Sequence, residues 1–130
     1  MAVLGLGTDI VEIARLAKQI EKSDRLPLRI LTPMEMQVYR EHNFPIRYLA
    51  KRFAAKEAAV KALGTGIGNG VGWQHIELSN GDLGQPIIHF SGQFAQLCEQ
   101  KGINNALVSI SDEQHYAMAT VILEQINKHG

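Results

Sequence analysis

The sequence RFAAKEAAVK, residues 52–61, lies in the segment that most clearly predicts a helix. The predicted helix covers residues 46–63, is rich in Ala, Lys, Arg, Leu and Glu, and contains no Gly or Pro. Phe53, Glu57 and Lys61 follow one another at intervals of four residues, so their side chains share one helical face. Alanines flank this face, and their small side chains would allow another backbone to approach closely.

A glycine-rich segment, GTGIGNGVG at residues 64–72, follows this helix. Gly64 is suited to end the helix, and the remainder predicts a loop. The loop lacks the Lys-Ser/Thr ending of a P-loop, and it follows a helix instead of opening one, so a helix dipole does not favour phosphate there. Two interpretations stay open: a connector, or a backbone whose N–H groups wrap an anion.

The order of the remaining elements indicates an α+β domain, because helices come early and antiparallel strands mostly late. Thr8 or Asp9 is expected to cap the first helix, and Gly5 and Gly7 to loosen the end of the strand before it. Thr32 and Glu35 form a predicted capping box. The predicted strands cover residues 2–6, 73–79, 86–90, 106–110 and 115–123. A first helix is predicted to begin near Ile10, and further helices to cover residues 26–31, 33–41 and 92–101.

Composition limits the class of protein. The chain has 130 residues, which is one domain by length, expected over residues 1–126 with a frayed tail at 127–130. Lys+Arg and Asp+Glu are 13 each, so no basic excess points to nucleic acid. The single cysteine, Cys98, is expected to be an inert packed thiol and fits a reducing compartment. No apolar run reaches the ~18 residues of a membrane span, so we expect a cytoplasmic protein.

Three groups of polar residues can carry chemistry, and each has a structural alternative. Asp9 can cap a helix or bind a metal at the end of a strand. Glu57 and Lys61 can form a solvated ion pair, or can supply a metal ligand and a donor or base. The positive charge of the first third of the chain can be a set of solvated faces or a docking surface for an acidic partner.

Two motifs taken together resemble a known family. GTDIVE at residues 7–12 with Arg15, and RFAAKEAAVKALGTG at residues 52–66, resemble the signatures of the holo-acyl-carrier-protein synthase family, the small 4′-phosphopantetheinyl transferases. The resemblance extends over nearly the whole chain and includes RILT at 29–32, VSI at 108–110 and HYA at 115–117. It implies the fold of that family, an antiparallel sheet with helices packed on it.

The resemblance also implies a reaction. Such enzymes transfer the phosphopantetheine arm of coenzyme A to a serine of apo-acyl carrier protein and release adenosine 3′,5′-bisphosphate, with Mg²⁺ required. By motif, Asp9 and Glu57 would be the Mg²⁺ ligands. The base could be Glu57, a Mg²⁺-bound water or Lys61, and we favour Lys61 as a polariser of the phosphate and possible proton acceptor.

The binding residues are implied in the same way. Contacts to coenzyme A are expected from Lys56, Gly64, Thr65 and Gly66, and contacts to the acidic helix of the carrier from Arg15, Lys22, Arg25 and Arg29. Family members are typically homotrimers with each site built across a subunit interface. Asp112 stands where some relatives carry a histidine, so a nucleotide contact by that histidine has no counterpart here.

Two other functions stay open. One is a non-catalytic coenzyme A or nucleotide-binding module of the same fold, although a degenerate module has no reason to keep Asp9, Glu57 and Lys61. The other is a broad-specificity transferase for peptide or polyketide carriers, but such enzymes are about twice this length. The length therefore favours the type that serves fatty acid biosynthesis.

Overall fold

The computed structural model describes residues 1–127 and confirms an α+β architecture. Residues 128–130 of the predicted tail lie outside the described residues. The strands are β1 (Ala2–Glu12), β2 (Ile76–Asn80), β3 (Pro86–Phe90), β4 (Asn105–Asp112) and β5 (Tyr116–Gln125). The helices are α1 (Ile13–Lys22), α2 (Arg25–Ile30), α3 (Pro33–Glu41), α4 (Pro45–Leu63) and α5 (Gly92–Gln100), with a short 3-10 helix at Trp73–His75.

The strands form an antiparallel three-stranded sheet of order β1-β5-β4 and a separate β2-β3 hairpin. Helix α4 packs on β1 and β5 of the larger sheet. Its alanines and Val60 are almost fully buried there with Val121 and Leu123 of β5. The helix predicted from RFAAKEAAVK is therefore the centre of the core.

The contact between α4 and β1 is a direct approach of two backbones. A Cβ atom built on Gly5 would lie 2.1 Å from the carbonyl oxygen of Ala62, and one on Gly7 would lie 2.0 Å from that of Ala58. Side chains at these two positions would force the elements apart. The expectation that Gly5 and Gly7 loosen the strand is wrong, whereas the close approach predicted from the alanines is confirmed.

Strand β1 is longer than the sequence predicts. It pairs with β5 as far as Glu12, with Thr8 opposite Thr120 and Asp9 opposite Ala119. The first helix begins only at Ile13, and no side chain caps it. Asp9 is therefore a strand residue, and the helix-cap alternative is wrong because the ladder with β5 holds its backbone extended.

Most other boundaries agree with the prediction. The capping box is confirmed: Glu35 N donates to Thr32 Oγ1 at 3.3 Å, and Thr32 N donates to Glu35 Oε1 at 2.9 Å. Gly64 ends α4 in the left-handed conformation, with φ 89°. The strand predicted from residue 73 begins at Ile76, because Trp73–His75 form the 3-10 helix.

One face of the three-stranded sheet is apolar and exposed. Along β1 and β5 exposed and buried residues alternate, and the register places Leu6 opposite Ile122 and Ile10 opposite Met118. We call this surface the outer face; its exposed apolar members are Leu4, Leu6, Ile10, Leu107, Tyr116 and Met118. Among residues 1–127, none of the helices combines the length and apolarity needed to span a bilayer.

Candidate active site

Asp9 and Glu57 line the same surface cavity, of about 380 Å³. Asp9 comes from β1 and Glu57 from α4, and the close glycine–alanine contact of these two elements brings the carboxylates together. Arg15 of α1 and Phe53 of α4 line the cavity as well. The two motifs, 45 positions apart in the chain, thus form one site.

Lys61 connects the helix to the strand. Its Nζ donates to Asp9 Oδ1 at 3.0 Å and to the Thr8 carbonyl oxygen at 3.1 Å. The Lys61 side chain is 53% exposed, so it reaches Asp9 along the surface. Lys61 therefore forms its ion pair with Asp9. The Glu57–Lys61 surface pair that the sequence also allowed does not form.

The Asp9 and Glu57 carboxylates repel each other, and Lys61 offsets this repulsion only in part. Burial and, next, the Asp9 carboxylate raise the pKa of Glu57, and Lys61 opposes the shift. A cation between the two carboxylates would relieve this repulsion. Within the described part of the chain no group of three or more His, Cys, Asp or Glu side chains could hold a metal. Two carboxylates fit Mg²⁺, which commonly takes one or two from the protein and completes its shell with waters and substrate phosphates.

Lys56 does not join this site, although it precedes Glu57 in the chain. Its side chain is fully buried, and its Nζ donates to Glu35 Oε1 at 2.6 Å, to the Ile30 carbonyl oxygen at 2.6 Å and to that of Trp73 at 3.3 Å. Burial lowers the pKa of Lys56, and Glu35 opposes the shift. With its side chain buried and its donors used inside the protein, Lys56 has no N–H group to offer a ligand, which corrects its expected contact to coenzyme A.

The backbone N–H groups of Gly64, Thr65 and Gly66 are also occupied. All three donate to the carbonyl oxygen of Val60, at 3.0, 3.2 and 3.3 Å. The Thr65 hydroxyl donates to the Gly66 carbonyl oxygen at 2.9 Å. These N–H groups close the end of α4, so the suggestion that they are free to wrap an anion does not hold in this conformation. The hydrogen bond of the Thr65 hydroxyl is to the next residue only, so a rotation of this side chain could direct the hydroxyl to a ligand.

The predicted docking residues are all exposed. Arg15 shares the Asp9–Glu57 cavity, while Arg25 and Arg29 of α2 line a second cavity of about 320 Å³. Gln19 of α1 lines both cavities, so the two adjoin. We call the positive surface of Arg15, Lys22, Arg25 and Arg29 the arginine patch. Three of its four members thus lie in the carboxylate cavity or in the one that adjoins it.

Two arrangements were missed from the sequence because they join distant positions. Arg47 donates to Asp112 Oδ2 at 2.9 Å and to the carbonyl oxygen of Glu113 at 2.6 Å, which ties the start of α4 to the turn between β4 and β5. Glu35, expected only as part of a capping box, is the buried partner of Lys56. No spacing signal could have paired residues so far apart.

Comparison with known proteins gives full-length matches. A model of the 4′-phosphopantetheinyl transferase superfamily matches residues 5–121. A holo-[acyl-carrier-protein] synthase of Alteromonas mediterranea is 66% identical over 126 residues, which are 97% of this chain and 100% of that protein. The matched region thus includes β1 and α4, which carry the site.

Solved structures of holo-[acyl-carrier-protein] synthases have the same fold as this chain. The crystal structure of holo-[acyl-carrier-protein] synthase from Neisseria meningitidis gives a TM-score of 0.90 at 38% identity, over 95% of this chain and 100% of that chain. The holo-(acyl-carrier-protein) synthase of Bacillus anthracis, solved in complex with CoA (3′,5′-ADP), gives a TM-score of 0.80 at 36% identity, over 95% and 98%.

Proposed function

This chain belongs to the 4′-phosphopantetheinyl transferase superfamily, and from that premise we propose that it moves the phosphopantetheine arm of coenzyme A to a serine of an apo-acyl carrier protein. The second product is adenosine 3′,5′-bisphosphate. The reaction depends on Mg²⁺ and serves fatty acid biosynthesis in the cytoplasm. A single domain over residues 1–126 performs it.

The observation that carries this proposal is the shared cavity of Asp9 and Glu57. In the proposed reaction these two carboxylates would hold Mg²⁺. When bound, the ion supplies charge neutralisation at the phosphorus under attack. Burial and the Asp9 carboxylate raise the pKa of Glu57, so a bound cation would stabilise its charged form.

Lys61 has a distinct part in the proposal. Two hydrogen bonds, to Asp9 and to the Thr8 carbonyl oxygen, fix its ammonium at the edge of the cavity. One N–H group is left to donate to a phosphate oxygen, where it would stabilise charge that develops during transfer. Lys61 therefore orients Asp9 and polarises the phosphate. Thr65 is the proposed coenzyme A contact in the loop, next to Gly64 and Gly66.

The acceptor is proposed to be acidic. Arg15, Lys22, Arg25 and Arg29 are exposed, and the arginine patch adjoins the carboxylate cavity. An acidic helix of the carrier laid on this patch would bring its serine to the phosphorus. The neutral overall charge of the chain is compatible with this, because a local group of exposed positive side chains can attract an acidic partner whatever the net charge.

We further propose a homotrimer formed through the outer face. Leu6 is 65% exposed and Ile10 62% exposed on that face, and contiguous exposed apolar surface of this kind marks interaction sites. Ile10 adjoins Asp9 in β1, so a neighbouring subunit seated there would reach the edge of the carboxylate cavity. A site shared between subunits follows from this position.

The decisive experiment weighs an apo-acyl carrier protein by intact mass spectrometry after incubation with the enzyme, coenzyme A and Mg²⁺. We expect a gain of one phosphopantetheine, which EDTA abolishes. Binding of coenzyme A without any mass gain, beside a competent control transferase, would favour the non-catalytic module of the same fold. Transfer to peptide or polyketide carriers at equal rates would favour the broad-specificity alternative.

A further inference from the structure

Helix α2 carries two residues of the arginine patch but is only six residues long. A helix of this length is not stable by itself, and its last carbonyl groups need partners from elsewhere. Two side chains provide them. Gln74 Nε2 donates to the carbonyl oxygens of Leu28, Arg29 and Leu31, at 3.3, 3.4 and 2.6 Å, and Lys56 Nζ donates to that of Ile30 at 2.6 Å. We call Lys56 and Gln74 the α2 clamp.

The clamp joins α2 to the catalytic helix. Lys56 immediately precedes Glu57 in α4, so the side chain that holds the end of α2 and the carboxylate of the site belong to adjacent residues. Lys56 also donates to the Trp73 carbonyl oxygen at 3.3 Å, beside Gln74 and just after the glycine-rich loop. Lys56 therefore contacts both α2 and the backbone next to Gln74.

Burying a charged group at this position costs desolvation free energy. Lys56 is fully buried together with Glu35, and an apolar pair of similar volume is often as stable as a buried ion pair. What an apolar side chain cannot do is donate hydrogen bonds in fixed directions. Lys56 reaches α2 through Ile30, α3 through Glu35 and the 3-10 helix through Trp73. These hydrogen bonds fix the positions of the three elements relative to α4, in addition to filling the space between them.

We propose that Lys56 and Gln74 are positioning residues that set α2, with Arg25 and Arg29, at a fixed place relative to Glu57. This inference rests on the proposed function, because the arginines are taken to dock the carrier. The clamp does not touch a substrate. Its effect reaches the reaction through the affinity of Arg25 and Arg29 for the carrier.

The test separates recognition of the carrier from binding of coenzyme A. Steady-state kinetics of Lys56→Met and of Gln74→Ala should show KM for the carrier raised about tenfold, because displaced arginines would bind the acidic carrier less tightly. KM for coenzyme A should change less than twofold. A purely structural role would instead lower the amount of active enzyme, so that kcat falls while both KM values stay unchanged.

A double-mutant cycle tests whether the clamp acts through the arginines. In a protein that already carries Arg25→Ala and Arg29→Ala, Gln74→Ala should add little to KM for the carrier, because residues that act as a unit are not additive. Lys101→Met is the matched control: Lys101 Nζ donates to the Leu63 carbonyl oxygen at the end of α4, at 3.0 Å, far from α2 in the chain. It should leave KM for the carrier unchanged.

A second variant is the control for effects on stability. Lys56→Met leaves Glu35 buried without its partner, and Lys56→Met/Glu35→Gln removes that unpaired charge. Thr32 N and Leu78 N donate to the two oxygens of Glu35, and a glutamine can accept only one of these bonds. The double variant should therefore regain only part of the thermal stability lost in Lys56→Met, and it should keep the high KM for the carrier. Full transfer with unchanged KM in Gln74→Ala and in this double variant would overturn the clamp alone. A wild-type protein that leaves the carrier's mass unchanged would overturn the proposed function, and this inference with it.

Discussion

Lys61 of α4 and Asp9 of β1 form an ion pair with an N–O distance of 3.0 Å. The pair joins the two sequence motifs, which otherwise meet through Gly7 and the backbone of Ala58. Asp9 is consequently shared between a protein cation and any metal ion that the site binds.

Replacing Lys61 by Met should lower kcat and at the same time lower the Mg²⁺ concentration needed for half-maximal rate. The rate falls because a donor to the phosphate is lost, and the metal binds more tightly because Asp9 loses a competing cation. Titration of activity with Mg²⁺ gives both quantities. A Lys61→Met protein that needs more Mg²⁺ than the wild type would show that the ammonium does not compete for Asp9.

Glu57→Gln should reduce transfer at least about 100-fold, since a metal ion contributes several kcal/mol of transition-state stabilisation. The circular dichroism spectrum and thermal transition should stay close to those of the wild type, because the two side chains have the same shape. Glu41→Gln, at the exposed end of α3, is the matched control and should retain full activity. Full activity of Glu57→Gln would refute the metal assignment.

Arg29→Glu should raise KM for the carrier strongly and leave KM for coenzyme A nearly unchanged. The substitution reverses a charge on the surface that faces an acidic partner, and the remaining affinity should depend less on salt. Arg40→Glu makes the same change on the exposed side of α3, outside the arginine patch. Equal effects of the two substitutions would mean that net charge, and not the patch, attracts the carrier.

Gly7→Ala should destabilise the fold by about 1–3 kcal/mol or more, the cost of overpacking, because its Cβ would lie 2.0 Å from the Ala58 carbonyl oxygen. The measurement is the free energy of unfolding in urea. At Gly72 a Cβ meets nothing within 4 Å and φ is −128°, so Gly72→Ala is the control and should be close to neutral. Similar losses at both positions would contradict the close approach of α4 and β1.

Cys98 should react slowly with iodoacetamide at pH 8 in the folded protein and quickly in urea. The residue is 5% exposed, and burial raises the pKa of its thiol while Lys101 opposes the shift. A raised pKa leaves a smaller thiolate fraction at a given pH, and the thiolate is the reactive form. Mass spectrometry of the alkylated protein against time measures both rates. Equal rates would contradict the packed thiol that the sequence predicted.

The sequence predicted the family and the local elements better than the contacts between elements. The family resemblance read from the two motifs is confirmed by matches over nearly the whole chain. The motifs also identified Asp9 and Glu57, which share a cavity, and the helix of residues 46–63 was correct to within one residue at its start. Such a result follows from local propensity, because helix formers and a terminal Gly act over a few residues.

The errors concern contacts between distant positions. The strand that contains Asp9 continues beyond Leu6 because β5, more than 100 residues later, pairs with it. The burial of Lys56 depends on Glu35 of α3 and Ile30 of α2. The roles of Gly5 and Gly7 depend on the carbonyl groups of Ala58 and Ala62. None of these partners is visible in the local sequence of the residue concerned.

The strand order β1-β5-β4 has a consequence for the time course of folding. The central strand of the sheet is the last to be synthesised, and β1 can join the sheet only after β5 has left the ribosome. Because the pairing of chain-distant segments is slow, the helices should form first and Asp9 should reach its place late. A chain stalled or cut before Tyr116 cannot hold β1 in the sheet. Incomplete products should therefore be unable to consume coenzyme A.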